Sequence, residues 1–113
     1  MQRYRKSIRK ALRELKCEAN EREIAEHLEK LWQKFREWKE GKIGAGELSH
    51  VIHEYDRGPS REMFLYYNDI APDLIVASAI VEGRLSEDEV PAEVLEAIAP
   101  RIEAFRQIKN AEQ

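Results

Sequence analysis

Apolar residues recur at helical spacing along nearly the whole chain. Tyr4, Ile8, Ala11, Leu12 and Leu15 lie 4, 3, 1 and 3 positions apart, one face of a helix with basic residues around it. This predicts a first helix over about residues 2–17. Asn20 followed by Glu23 has the form of a capping box, which predicts a new helix start there. Ile24, Leu28, Leu31, Phe35 and Trp38 then repeat at 4-3-4-3. They fall within a band about 80° wide, the narrow seam of a coiled coil. Trp32 sits beside that seam, placed to meet a second neighbour within the domain or in another subunit. Gly41 is a natural residue to follow the end of this helix.

Lys42 to Gly46 is a glycine-rich connector, predicting an antiparallel pair of helices on its two sides. Leu48, Val51, Ile52 and Tyr55 form one face of the next helix, which is expected to stop at Gly58. Pro59 or Ser60 is expected to open a short helix carrying Met63, Phe64 and Tyr67, closed at Asn68-Asp69. Pro72 stands where a first helical residue is favoured. The segment to Glu82 is apolar almost all round, the mark of a helix buried at a domain centre. Its β-branched residues also permit a strand, but the chain offers no partner strand. Gly83 ends it. Ser86 and Glu89 form a second capping box, and Pro91 starts a helix carrying Val94, Leu95 and Ile98. Pro100 is expected to break or kink that helix. Ile102 and Phe105 continue its face, and residues 108–113 read as a frayed tail. The predicted fold is all-α: a single compact domain over residues 1–107, with five to six helices around a central apolar helix near 72–82.

Composition fits this picture. A chain of 113 residues is one domain by size and can bury a core without staples. Cys17 is the only cysteine, so no intrachain disulfide can form and a reducing compartment is expected. The first ten residues are charged, with no apolar secretory region after them. The apolar run Leu74–Val81 is far short of the ~20 residues that cross a membrane. The expectation is a cytoplasmic protein with no membrane association. Charge is uneven. Residues 1–16 carry seven basic residues against Glu14, and residues 82–103 carry seven acidic residues against Arg84 and Arg101. The two ends suit each other, or the basic one suits an anionic partner.

The densest chemistry lies in residues 48–62. His50, His53, Glu54 and Asp56 include metal-ligand types at i, i+3 and i+4. On a helical wheel, however, they point away from the apolar face of their own helix, and the order is not that of H-E-x-x-H. No metal or other cofactor is therefore expected. The glycine connector fails as a calcium loop, because the first ligand positions would fall on Arg36 and Trp38. Arg57 and Arg61 flank Gly58-Pro59-Ser60, where a helix start could hold an anion. Helix ends explain Gly58 and Ser60, but not the second arginine. The basic first helix would allow nucleic-acid contact, without any recognisable binding motif. Cys17, at the expected end of the first helix, is disfavoured as a thiolate by the dipole. His27 flanks the coiled-coil seam.

Ile52-His53-Glu54-Tyr55, Gly58-Pro59-Ser60-Arg61-Glu62 and Leu85-Ser86-Glu87-Asp88-Glu89-Val90-Pro91 together resemble a family of small bacterial helical proteins with no assigned activity. The resemblance spans about residues 20–105. It implies a free-standing bacterial cytosolic protein, weights His53 and Glu54 over His50, and carries no catalytic residue across.

The residues thus point to a non-enzymatic interaction protein, a homo-oligomer or a partner of another protein, with Trp32, Phe35 and Trp38 as its interface. Two alternatives stand beside it. One is a small enzyme, or an anion- or metal-binding protein, using the surface of His53, Glu54, Arg57 and Arg61. The other is a nucleic-acid accessory protein using the basic first helix.

Overall fold

The computed structural model describes residues 4–112, and among them there are helices and turns but no strand. The elements are α1 (Lys6–Lys39), α2 (Ala45–Tyr55), a π-helical turn (Asp56–Ser60), α3 (Arg61–Asp69), α4 (Pro72–Val81), a 3₁₀ turn (Glu87–Glu89) and α5 (Ala92–Ala111). The all-α expectation holds. The count is lower than the five to six helices expected, because α2, the π turn and α3 run on as one rod. The described chain makes four helical rods.

The largest departure is α1. The break expected near Asn20 is absent, and 34 residues form one helix. Its length of about 51 Å matches the longest dimension of the molecule, 53 Å. Two contacts outcompete the capping box. Glu23 accepts a 2.7 Å hydrogen bond from the Tyr67 hydroxyl, so its carboxylate is committed to α3. Ala19, fully buried, lets α1 sit close against the core. At its far end α1 closes as expected. Gly41 takes φ +77°, Lys42 N–H donates to Glu37 O and Gly41 N–H to Trp38 O. This is the Schellman arrangement, which only glycine enters without strain. Gly83 (φ +82°) ends α4 in the same way.

The second departure is the join between α2 and α3. Neither Gly58 nor Ser60 ends a helix, and Ser60 makes no capping hydrogen bond. Pro59 has no N–H, and its ring would strike the Tyr55 carbonyl in a regular α-turn. Widening to a π turn removes the clash without ending the rod. Likewise α5 passes unbroken through Pro100. Ile98 before it and Ile102 after it are both buried, and this packing holds the two halves in line. The helix also continues past residue 107. Lys109 Nζ donates to Val81 O at 3.2 Å and lies 3.9 Å from Glu82.

α4 lies at the centre, as expected. Ile75, Val76, Ala77, Ala79 and Ile80 are all buried, between α5 and the first half of α1. The core gathers Ile8, Leu12, Ala19, Met63, Tyr67, Leu85, Val94, Ile98 and Ile102 around that helix. The molecule is not a compact domain, however. Its radius of gyration is 17.5 Å, against about 13 Å for a globular chain of this length. The cause is α1, whose distal half leaves the core and runs outward, accompanied only by α2. We call the packed part the head and this extension the arm. No described helix is long and apolar enough to cross a membrane.

Candidate functional site

The arm is two helices thick. The short connector turns α2 back along α1, so that His27 meets Tyr55 (ring centroids 6.1 Å apart) while Phe35 and Leu31 share a cavity with Ser49 and Ile52. This is the antiparallel pair expected from the connector. Two helices can cover only one side of each other. Trp32 remains 58% exposed and Phe35 and Trp38 37% each, and Leu28 and Ile52 are exposed beside them. Trp32 and Phe35 line an open groove with Arg36, Lys39 and Glu40, and Lys39 Nζ stands 5.1 Å from the Trp38 ring centroid. The three aromatic residues expected at an interface are thus open to solvent on one rod. Leu28, Trp32, Phe35 and Trp38 occupy a band about 120° wide around α1.

The residues of the 48–62 stretch diverge. His53 lines the shallow cavity of Leu31, Phe35 and Ile52. Glu54 lines the groove on the other side of α2, with Lys30, Lys34 and Val51. Arg57 and Arg61 are exposed, line neither cavity and form no ion pair among the described residues. His50 is 4.0 Å from Glu54, and both are exposed. Among the described residues no group of three or more His, Cys, Asp or Glu could hold a metal ion. Cys17 is exposed in the middle of α1, away from either end of the helix.

Pro59 and His27 meet at the base of the arm. Both line the groove of Glu54 and a neighbouring cavity of about 340 Å³ with Glu23, Glu62, Tyr66 and Arg84. The polar groups there are largely spent on one another. Arg84 lies 3.7 Å from Glu23 and 3.3 Å from Glu26. Burial opposes its charge, but the two carboxylates outweigh this and raise its pKa. Its Nε is buried without a partner among the described residues. The Tyr67 hydroxyl is pushed up by burial, and further by its bond to Glu23. Arg22 extends the network, donating to Glu18, to the Arg84 carbonyl and to both oxygens of Glu89. Glu89 also accepts from Ser86 N–H in the expected capping box. The Arg22 hydrogen bond, with the Ser86 amide, holds the Glu89 carboxyl down at about 2. The network clamps α1 to the loop after α4, at the point where α1 leaves the head.

The sequence did not single out Asp73. It is the one buried charged residue among those described, 6% exposed. The Tyr4 hydroxyl donates to Oδ2 at 2.8 Å, Arg101 Nε lies 2.7 Å from Oδ2, and Leu74 N–H donates to Oδ1 at 2.9 Å. Burial, then the bond to Asp73, raises the Tyr4 hydroxyl to about 12. A lone acid in an otherwise apolar buried helix was the available signal, since buried charge must be paired. Asp73 forms the floor of a cleft of about 450 Å³ between α1 and the start of α4. Of the seven basic residues near the N-terminus, Arg5 pairs with Glu93 at 3.2 Å. Lys6, Arg9, Lys10, Arg13 and Lys16 form no ion pair among the described residues. The attraction expected between the two ends of the chain thus engages Arg5 alone of those described.

Comparison with protein-family models, with curated proteins and with solved structures returns no match.

Proposed function

We propose that the protein is a self-associating interaction module in which the arm of one copy packs against the arm of a second. The observation that carries this is the band of Leu28, Trp32, Phe35 and Trp38, exposed on a helix with coiled-coil spacing. A fully exposed aromatic side chain offers on the order of 200 Å². Together with Ile52, the band leaves on the order of 500 Å² of apolar surface open, at the upper end for a single soluble chain. Two such faces, with their charged flanks, reach the size of a specific interface. The flanks suit a second copy, since Lys30, Lys34, Arg36 and Lys39 alternate with Glu29, Glu37 and Glu40. A two-fold contact lets opposite charges meet when a surface pairs with itself. The other exposed apolar residues fit this role less well. Phe64, Leu65 and Tyr66 are consecutive on α3, so they point in three directions and form no single face.

The enzyme reading has less support, because His53, Glu54, Arg57 and Arg61 do not converge on one cavity.

Sedimentation equilibrium tests the proposal. The unaltered chain should dimerise, and Trp32→Glu should be monomeric while its melting temperature at low concentration stays close to that of the parent. A parent chain that remains monomeric at the highest attainable concentration, or a Trp32→Glu variant that dimerises as well as the parent, overturns it.

A further inference from the structure

We propose that the cleft between α1 and the start of α4, at the opposite end of the molecule from the arm, binds a small amphipathic carboxylate: an apolar body with one anionic head. The cleft, about 450 Å³, lies in the size range of small-ligand sites. Its walls are mostly apolar. Leu12 of α1 and Pro72 and Leu74 of α4 supply them, and Leu74 is 38% exposed although it belongs to the most buried helix of the fold. Such walls match a hydrocarbon or an aromatic ring and penalise a fully hydrated anion such as phosphate.

The head of the ligand is specified by Arg9 and Arg13. They lie one turn apart on α1, so their side chains are neighbours at the same rim of the cleft. A guanidinium presents a planar fork that matches a carboxylate. Among the described residues the only acid lining the cleft is Asp73, and it cannot neutralise them. Its oxygens are already occupied by the Tyr4 hydroxyl, Arg101 and the Leu74 amide. The cleft therefore offers two arginines without an ion pair among the described residues, above apolar walls and a polar floor whose charges are balanced. Nucleic acid would instead track the wider stripe through Lys6, Lys10 and Lys16 and would leave the apolar walls unused.

Titration of the ¹⁵N-labelled chain with octanoate, octylammonium and inorganic phosphate, followed by amide shifts, tests this. Octanoate should saturate and move the amides of Leu12, Ala71 and Leu74, whereas octylammonium and phosphate should not. Arg9→Gln with Arg13→Gln should weaken octanoate at least about tenfold, the scale of losing one charge-assisted contact. The melting temperature without ligand should be unchanged, because neither arginine has an ion pair to lose among the described residues. The proposal fails if octanoate does not saturate, or if octylammonium binds equally well. It also fails if phosphate moves the same amides as strongly, if the double variant retains full affinity, or if the shifts map to Trp32 and Phe35.

Discussion

The head and the arm share one helix and treat it in opposite ways. The first half of α1 buries Ile8, Leu12 and Ala19 under α4 and α5, whereas beyond Ala19 none of its residues is buried. Yet the distal half has the stricter apolar repeat, 4-3-4-3 against the looser 4-3-1-3 of the proximal half. Periodicity records which face needs cover, and the number of neighbouring helices decides whether cover arrives. The head supplies α3, α4 and α5. The arm supplies α2 alone, whose only buried residue is Leu48.

The sharpest probe of this contrast is a matched pair of core deletions. Ile98→Ala, at a fully buried site in the head, should cost about 2–5 kcal/mol and lower the global unfolding transition. Leu48→Ala should cost less, because a site at the edge of two helices can collapse into the gap. It should raise hydrogen exchange in α2 and the distal half of α1 while the head amides keep their protection. Equal loss of protection in both regions would show that the arm and head unfold as one unit. The next largest effect is expected at Asp73. Asp73→Ala removes the acceptor of the Tyr4 hydroxyl and one partner of Arg101 in a mostly buried setting, at about 1–3 kcal/mol in chemical denaturation. A cost near zero would mean that water replaces the carboxylate freely.

The smallest effect tests the clamp between the two regions. Glu89 is held at about 2 in the folded state by Arg22 and the Ser86 amide, below the ordinary 4.5. Because its folded value is depressed, its contribution is fully present above pH 4.5 and is lost as pH falls towards 2. Glu89→Gln should therefore melt below the parent at pH 6, with the difference closing by pH 2. A gap that stays constant across that range would assign the effect to the lost capping geometry instead of to charge. Since Glu89 is exposed, the gap should be modest and should shrink with added salt.

These contrasts also mark what the chain reveals about itself. The all-α class, the buried α4, the glycine ends at Gly41 and Gly83 and the Ser86–Glu89 box were legible because each rests on local rules. The continuity of α1 was not, because Asn20 and Glu23 satisfy a local capping rule that is overridden by Tyr67, more than 40 positions away. The helix ends expected at Gly58 and Ser60 failed for a similar reason: proline usually ends a helix, but buried faces on both sides make a widened turn the cheaper solution. Of the candidate surface, Phe35 and Trp38 in the seam and Trp32 beside it were legible, because their placement needs only the wheel. The cleft was missed because it unites Arg9, Arg13, Asp73 and Arg101 from three helices, and no spacing in the sequence joins them.

The widened turn at Pro59 has a consequence for register. On an uninterrupted α-helix, Met63 and Tyr67 would lie about 100° around from Leu48, Val51 and Tyr55. A π turn holds roughly one residue more than an α-turn, and so takes back about that angle. The five residues Asp56–Ser60 thus work as a phase corrector, allowing a single continuous rod to serve the arm with one end and the head with the other. Deletion of Pro59 alone leaves an ordinary helix with both faces still aligned. Gain of one residue turns Met63 and Tyr67 out of the core. The rod is therefore built with a spare residue, and its tolerance for length change is one-sided.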